Sequence, residues 1–127
     1  KILFIDDEEV LARWGEQLLT HLGYVVVSKT NPHEAVDLFR KQADQFNLVV
    51  TDQTMPTMNG EEFVRALQEI RKDIPIILCT GFSHIMTAEK AAQLGLTAFL
   101  MKPVSAAGLA HTVKDVLGET RHPSNEI

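Results

Sequence analysis

Five short apolar runs, each followed by an amphipathic stretch, recur from one end of this chain to the other. That alternation limits the folds open to it more than any other feature. The runs are "ILFI" (2–5), "YVVV" (24–27), "LVV" (48–50), "IPIILC" (74–79) and "AFLM" (98–101). They are nearly continuous rather than alternating, the pattern of strands buried on both faces of a parallel sheet.

The stretches between them carry helix signals. Asp6 with Glu9, Asn31 with Glu34, and Asn59 with Glu62 each pair an N-cap type residue with an acid three positions on. Pro32 follows Asn31, where a first helical position tolerates it. Leu11, Trp14, Leu18 and Leu22 make one apolar stripe in the first helix, which puts Trp14 in the core. Phe63, Val64, Leu67 and Ile70 do the same in the third, and Leu109, Val113, Val116 and Leu117 in the last. Gly23, Gly95 and Gly118 each sit where a helix is expected to end. Five strand–helix pairs of this kind predict a single doubly wound α/β domain.

A length of 127 residues suits one domain with a real core and is too short for two. The apolar share of 45% is that of a globular protein, and no apolar run approaches a membrane span. Nor does the opening "KILFIDDEE" read as a secretory signal. The formal net charge is −5 and the 12 Lys and Arg residues are scattered, which argues against direct nucleic-acid contact. The single cysteine, Cys79, rules out an internal disulfide and fits a reducing compartment, where it is expected to pack inertly in the fourth strand. His21, His33, His84, His111 and His122 share no ligand-like spacing, so a zinc site is not expected. The last residues, "ETRHPSNEI", have no apolar face; they read as a polar tail or linker over 119–127 behind a domain at 1–118.

In open parallel sheets, ligands bind beyond the carboxyl ends of the strands. Strand one ends in Asp6 and Asp7, strand three in Asp52, strand four in Thr80, and strand five in Lys102 and Pro103. Strand two ends in Ser28 and Lys29, to which no role attaches. Three carboxylates at one edge raise one another's pKa values unless a cation offsets them. An all-oxygen pocket suits Mg²⁺, and the addition of a lysine and a hydroxyl suits a phosphoryl group. A carboxylate at the centre of such a site can itself be the nucleophile. Each residue also has a plainer reading: Asp6 and Asp7 as a helix cap, Asp52 as a solvated strand end, Thr80 as a β-branched strand residue, and Lys102 with Pro103 as a turn. Their order, each at an expected strand end, favours chemistry.

The blocks "FIDDE", "VVTDQTMPTMNG", "ILCTG" and "FLMKP" resemble, in order, the four signature blocks of receiver domains from two-component response regulators, over roughly residues 1–118. The resemblance implies a (βα)5, flavodoxin- or CheY-like domain with a five-stranded parallel sheet in the order 2-1-3-4-5. It implies Asp52 as phosphoacceptor. Asp7, Asp52 and the backbone carbonyl of Thr54 would bind Mg²⁺, with Asp6 acting through the metal's water shell. Lys102 would contact the phosphoryl group and Asp52, with a cis bond to Pro103. Thr80 would hydrogen-bond the phosphoryl group, Phe99 would be the aromatic switch, and Thr54 and Phe82 would tune dephosphorylation.

The implied activity is not that of a conventional enzyme. It is a self-catalysed transfer from a histidine kinase or histidine phosphotransfer domain, followed by autodephosphorylation and a changed α4-β5-α5 face read by a further, unidentified protein. A cytoplasmic location, with no membrane or nucleic-acid contact by this domain, goes with that reading. The chain does not begin with Met, and "TGFS" with "AFLMKPV" resembles receivers attached to hybrid sensor histidine kinases, so an excised C-terminal receiver is expected. The competing readings are a stand-alone regulator and a receiver that only docks proteins. A phosphatase of the haloacid-dehalogenase type wants a second Asp where Thr54 stands, and a flavin carrier wants a phosphate-binding loop where "DDEE" would repel phosphate.

Overall fold

Five parallel strands lie in the order β2-β1-β3-β4-β5 in the computed structural model, which describes residues 1–81 and 88–119. In chain order the elements are β1 (Ile2–Ile5), α1 (Glu9–His21), β2 (Val26–Lys29), α2 (Pro32–Gln42), a 3-10 turn (Ala43–Gln45), β3 (Leu48–Asp52), α3 (Gly60–Ile70), β4 (Ile76–Thr80), α4 (Ala88–Leu94), β5 (Ala98–Met101) and α5 (Ala106–Glu119). This is the doubly wound fold that the sequence predicts. Residues 82–87 and 120–127, with Phe82, His84, His122 and most of the expected tail, lie outside the described set; α5 runs to Glu119, one position past the expected boundary.

Successive strand residues go to opposite faces. In β1, Ile2 and Phe4 join one core cluster while Leu3 and Ile5 join the other. In β3, Leu48 and Val50 lie on the first side and Val49 on the second. The first cluster also takes Leu19 of α1 and Leu109, Val113 and Val116 of α5; the second takes Ala35, Val36 and Phe39 of α2 and Phe63, Val64 and Leu67 of α3. The sheet is therefore a filled layer between two layers of helices, with β1, β3 and β4 buried throughout. Each fully buried Leu, Ile or Phe in it contributes on the order of 1.5–3 kcal/mol.

Several expectations change. The apolar run at 24–27 meets the second strand only in its second half: β2 starts at Val26, in register with Ile2, and Val25 is 64% exposed. β2 and β5 are half-buried, not covered on both faces, because each forms an edge of the sheet. In α1 the buried residues are Ala12, Gly15 and Leu19, whereas Leu11, Trp14 and Leu18 are half-buried and Leu22 is 47% exposed. Gly15 is the reason: a Cβ there would lie 2.3 Å from Cζ of Phe4, so the helix settles on the sheet through its smallest residues and the large ones flank the contact.

Asp6 does not cap α1. Its Oδ1 accepts from the Glu8 N–H at 2.9 Å, closing a turn that delays the helix to Glu9 behind an N-cap, Glu8, with no side-chain bond. Asn31 and Asn59 do cap α2 and α3, the latter in a full capping box with Glu62. Gly23 and Gly95 take positive φ at helix ends, but Gly118 lies inside α5 and ends nothing.

Candidate functional site

The carboxyl ends of β1, β3, β4 and β5 converge on one edge, and the register holds them there. Ile5 lies beside Thr51, Asp52 beside Cys79, and Thr80 beside Met101. Backbone hydrogen bonds extend each pairing past the strand: Gln53 N–H donates to the Cys79 carbonyl at 2.9 Å and Lys102 N–H to the Thr80 carbonyl at 2.8 Å. Asp6 N–H donates to the Lys29 carbonyl at 3.2 Å. That bond gives the end of β2 a role that side chains do not reveal, since Lys29 supports the site through its backbone while the Ser28 hydroxyl donates to Glu16 at 2.6 Å.

Asp52 ends β3 with only 4% of its surface exposed, and Asp6 and Thr80 are buried beside it. Asp6, Asp7 and Asp52 each offer a carboxylate oxygen within 4.8 Å of the others. Lys102 Nζ sits 2.7 Å from Asp52 Oδ1. Among the described residues the cluster is thus three acids with one ammonium against them, an excess of negative charge around the buried Asp52 and Asp6.

The electrostatics follow. Burial raises the Asp6 carboxyl to about 6, opposed by the Glu8 N–H and reinforced by the charge of Asp52. Burial works against the Lys102 ammonium, but its hydrogen bond to Asp52 and the charges of Asp52 and Asp6 outweigh it, and its pKa lies above the ordinary lysine value. Burial, with Asp52 next, pushes the Cys79 thiol up to about 12, so it lines the site as a neutral, inert group.

The donor set fits a hard divalent cation. Three carboxylate oxygens close together, only one of them on an acid with an ammonium partner, match the all-oxygen preference of Mg²⁺. Acids crowded in this way are stabilised as a group by a dication. Beside them a cavity of about 270 Å³ runs between α1 and α5, lined by Phe4, Leu11, Trp14 and Leu109, with Asp6 and Lys102 at its polar end.

The loop from Asp52 to α3 is fixed at both ends. Met55 is buried, Gly60 N–H donates to the Gln53 carbonyl at 2.6 Å, and the Thr51 hydroxyl donates to the Asp52 carbonyl at 3.1 Å. A Cβ on Gly60 would lie 2.7 Å from Gln53 Cα and 3.1 Å from the Asp52 carbonyl oxygen. Glycine is required there because the first turn of α3 presses on the backbone of the acid-bearing strand. The "NG" in "MPTMNG" was the available signal for that contact.

The remaining expected site residues are placed as follows. Thr54 is exposed on the loop after Asp52. The Thr80 hydroxyl makes a long local bond, 3.3 Å, to the Gly81 carbonyl. Phe99 is half-buried on β5, opposite Leu78 in register and packed with Ala91, Leu94 and Leu96. The Lys102–Pro103 peptide bond is cis. Sequence reasoning gave no role to Gln53, a buried side chain next to Asp52 whose Oε1 has no hydrogen-bond partner among the described residues.

Comparison with known proteins agrees with this geometry. The chain is 36% identical over 124 residues to a chemotaxis protein CheY homologue of Campylobacter jejuni, covering 93% of this chain and 92% of that one. It is 35% identical over 126 residues to a probable transcriptional regulator, ycf27, of Cyanophora paradoxa, covering 98% of this chain but only 51% of the relative, so it spans about half the length of that protein. It is 30% identical over 116 residues to the sensor kinase CckA of Brucella abortus, covering 91% of this chain and 12% of the kinase. Among solved structures, a response regulator receiver domain protein from Clostridium thermocellum superposes with a TM-score of 0.87 at 27% identity, over 94% of this chain and 95% of that one. The family model described as "Response regulator receiver domain" matches residues 2–114. With its strand order and its acids at the carboxyl edge, the chain belongs to the response regulator receiver domain family.

Proposed function

We propose that this domain accepts a phosphoryl group from a phosphohistidine onto Asp52 and uses the modified state as a signal. The observation that carries this reading is the placing of a buried Asp52 against Lys102 at 2.7 Å while the same carboxylate shares a 4.8 Å cluster with Asp6 and Asp7. A structural ion pair has no use for two further acids; a phosphoryl site has.

Asp7, Asp52 and the backbone carbonyl of Thr54 would hold Mg²⁺, with Asp6 beside them. The ion would supply charge neutralisation for the phosphoryl oxygens. An Asp52 carboxylate oxygen attacks phosphorus in line with the leaving nitrogen, forming the P–O bond as the P–N bond breaks. The electron pair departs on the imidazole nitrogen of the donor, which takes up a proton. Lys102 neutralises the charge that develops on the transferred oxygens. Lys102 then bridges Asp52 and the phosphoryl group, and the Thr80 hydroxyl exchanges its long bond to Gly81 for a phosphoryl oxygen. Phe99 moves into the space Thr80 leaves, and the α4-β5-α5 face changes. Water hydrolyses the acyl phosphate at a rate tuned by the residue types at positions 54 and 82, Thr54 and Phe82.

The donor is a histidine kinase or histidine phosphotransfer domain, and a protein that reads the α4-β5-α5 face is the downstream partner. Attachment to a hybrid sensor kinase is supported by the likeness to CckA. The CheY homologue and the ycf27 regulator, at higher identity, support a free-standing protein and a regulator with a second half. The site's chemistry is the same in each.

Trp14, the only tryptophan, lines the cavity that ends in Asp6 and Lys102 and serves as the test probe. Acetyl phosphate with Mg²⁺ is expected to change its emission, and the change is expected to vanish with EDTA and in Asp52→Asn. An identical change in Asp52→Asn would contradict the reading.

A further inference from the structure

The residue after the acceptor is unusual. Gln53 is 6% exposed, and its Oε1 has no hydrogen-bond partner among the described residues. Its backbone cannot shift to find one, because its N–H is committed to the Cys79 carbonyl and its carbonyl to Gly60 N–H. A buried carbonyl without a donor raises the free energy of the state that contains it, and any state that supplies a donor is favoured by roughly 5- to 150-fold. Native structures rarely leave such a group unmet.

Gln53 also lines a cavity of about 210 Å³ with Thr54, Met55, Asn59, Glu61 and Lys90. Lys90 belongs to α4, on the wall opposite the acceptor loop. The far end of that helix is tied down, since Gln68 Nε2 on α3 donates to the Leu94 carbonyl at 3.0 Å. Leu94 and Leu96 pack on the sheet beside it. A displacement of α4 is therefore a rotation about Leu94 that moves its first turn, which carries Lys90, most.

Resting on the acceptor reading above, we infer that Gln53 is a positioning residue that couples Asp52 to α4: its side-chain carbonyl, unmet in the unmodified domain, accepts a hydrogen bond from Lys90 when Asp52 carries a phosphoryl group. Converting the Asp52 carboxylate into an acyl phosphate of about −1.5 to −2 adds roughly −0.5 to −1 of charge, and moves it outward, at the adjoining residue. That charge draws the Lys90 ammonium across the cavity, and the unmet carbonyl receives it. The unmodified state is kept slightly strained, and modification releases the strain by moving the first turns of α4.

The test is a double-mutant cycle with Gln53→Met, which keeps the length and removes the polar atoms, and Lys90→Met. Beryllofluoride with Mg²⁺ stands in for the phosphoryl group. Gln53→Met is expected to raise the thermal midpoint of the unmodified domain while weakening beryllofluoride loading by about 5- to 150-fold. Lys90→Met is expected to weaken loading similarly, and the double variant no further than either single one. A residue with a merely structural role would move stability and loading in the same direction. A lowered midpoint in Gln53→Met, or additive losses in the loaded state, would overturn the inference while wild-type loading left the acceptor reading standing. Wild type that fails to load, or Asp52→Asn that loads as wild type does, would overturn both.

Discussion

Lys102 Nζ meets Asp52 Oδ1 at 2.7 Å although Asp52 ends β3 and Lys102 follows β5, strands that are not neighbours, with β4 between them. Thr80, the last residue of β4, ties the Lys102 backbone to that intervening strand, its carbonyl accepting the Lys102 N–H at 2.8 Å. The pair is lopsided, with Asp52 buried and the Lys102 side chain 29% exposed. The acid depends on the lysine for compensation more than the lysine depends on the acid.

That asymmetry predicts the outcome of breaking the pair. Lys102→Met leaves a buried carboxylate without its cation and is expected to cost about 1–3 kcal/mol in urea unfolding in EDTA, after allowance for partial exposure. Adding Asp52→Asn is expected to return most of the loss. A double variant as unstable as Lys102→Met alone would show that lost lysine packing, not charge, was responsible.

Mg²⁺ is expected to raise the midpoint of wild type and to do so much less in Asp7→Asn, because each removed carboxylate deletes both a ligand and part of the attracting charge. In EDTA at pH 7.5, above the raised Asp6 pKa of about 6, Asp6→Asn is expected to be more stable than wild type, since it removes a charge disfavoured first by burial and then by Asp52 and Asp7. Differential scanning fluorimetry with and without the ion reads both effects. An undiminished shift in Asp7→Asn would remove it from the ligand set.

Gly60→Ala is expected to cost about 1–3 kcal/mol, because the new Cβ would meet Gln53 Cα and the Asp52 carbonyl, both backbone, rather than a side chain that could swing away. Loading of Asp52 is expected to fall with it. Asn59→Ala removes only the cap of α3 and is expected to cost about 1 kcal/mol, with loading kept. Equal loading defects in the two would mean that loosening α3, not displacing the acceptor strand, is what matters.

Cys79 gives the pH-dependent prediction. Its folded pKa, about 12, lies above the model-peptide value of 9.0, so between those values the unfolded chain loses a proton that the folded one keeps. Its contribution to stability is complete below pH 9 and is lost as pH rises towards 12. Cys79→Val is expected to flatten that alkaline decline. At pH 8 the native thiol is expected to react with iodoacetamide at least about 100-fold more slowly than in urea; fast native alkylation would contradict its burial.

The sequence was most legible where residues are buried on both sides. β1, β3 and β4 announce themselves as unbroken apolar runs, and their carboxyl ends deliver Asp6, Asp52 and Thr80 to one edge. Edges and close contacts were less legible. Tyr24 and Val25 extend the second apolar run, yet the strand begins after them because Ile2 pairs with Val26. The α1 stripe holds in part: Trp14 and Leu18 pack against the core from the flank, because Gly15 lets Phe4 take the central contact, and Leu22 is exposed. Gly118 reads as a helix end only if every glycine stops a helix, and nothing in α5 requires it to. Lys29 and Gln53 act through a backbone carbonyl and an unmet amide, neither of which composition or periodicity reveals.

The account rests on Asp52 as the acceptor, and intact-mass spectrometry after incubation with acetyl phosphate measures that directly, with Mg²⁺ or EDTA, on wild type and Asp52→Asn, with rapid acid quenching. The expected result is one phosphoryl adduct on wild type that requires Mg²⁺ and is absent from Asp52→Asn. An adduct that persists in Asp52→Asn would put the acceptor elsewhere, and none on wild type under any condition would leave a receiver fold that serves only to dock other proteins; either contradicts the central claim.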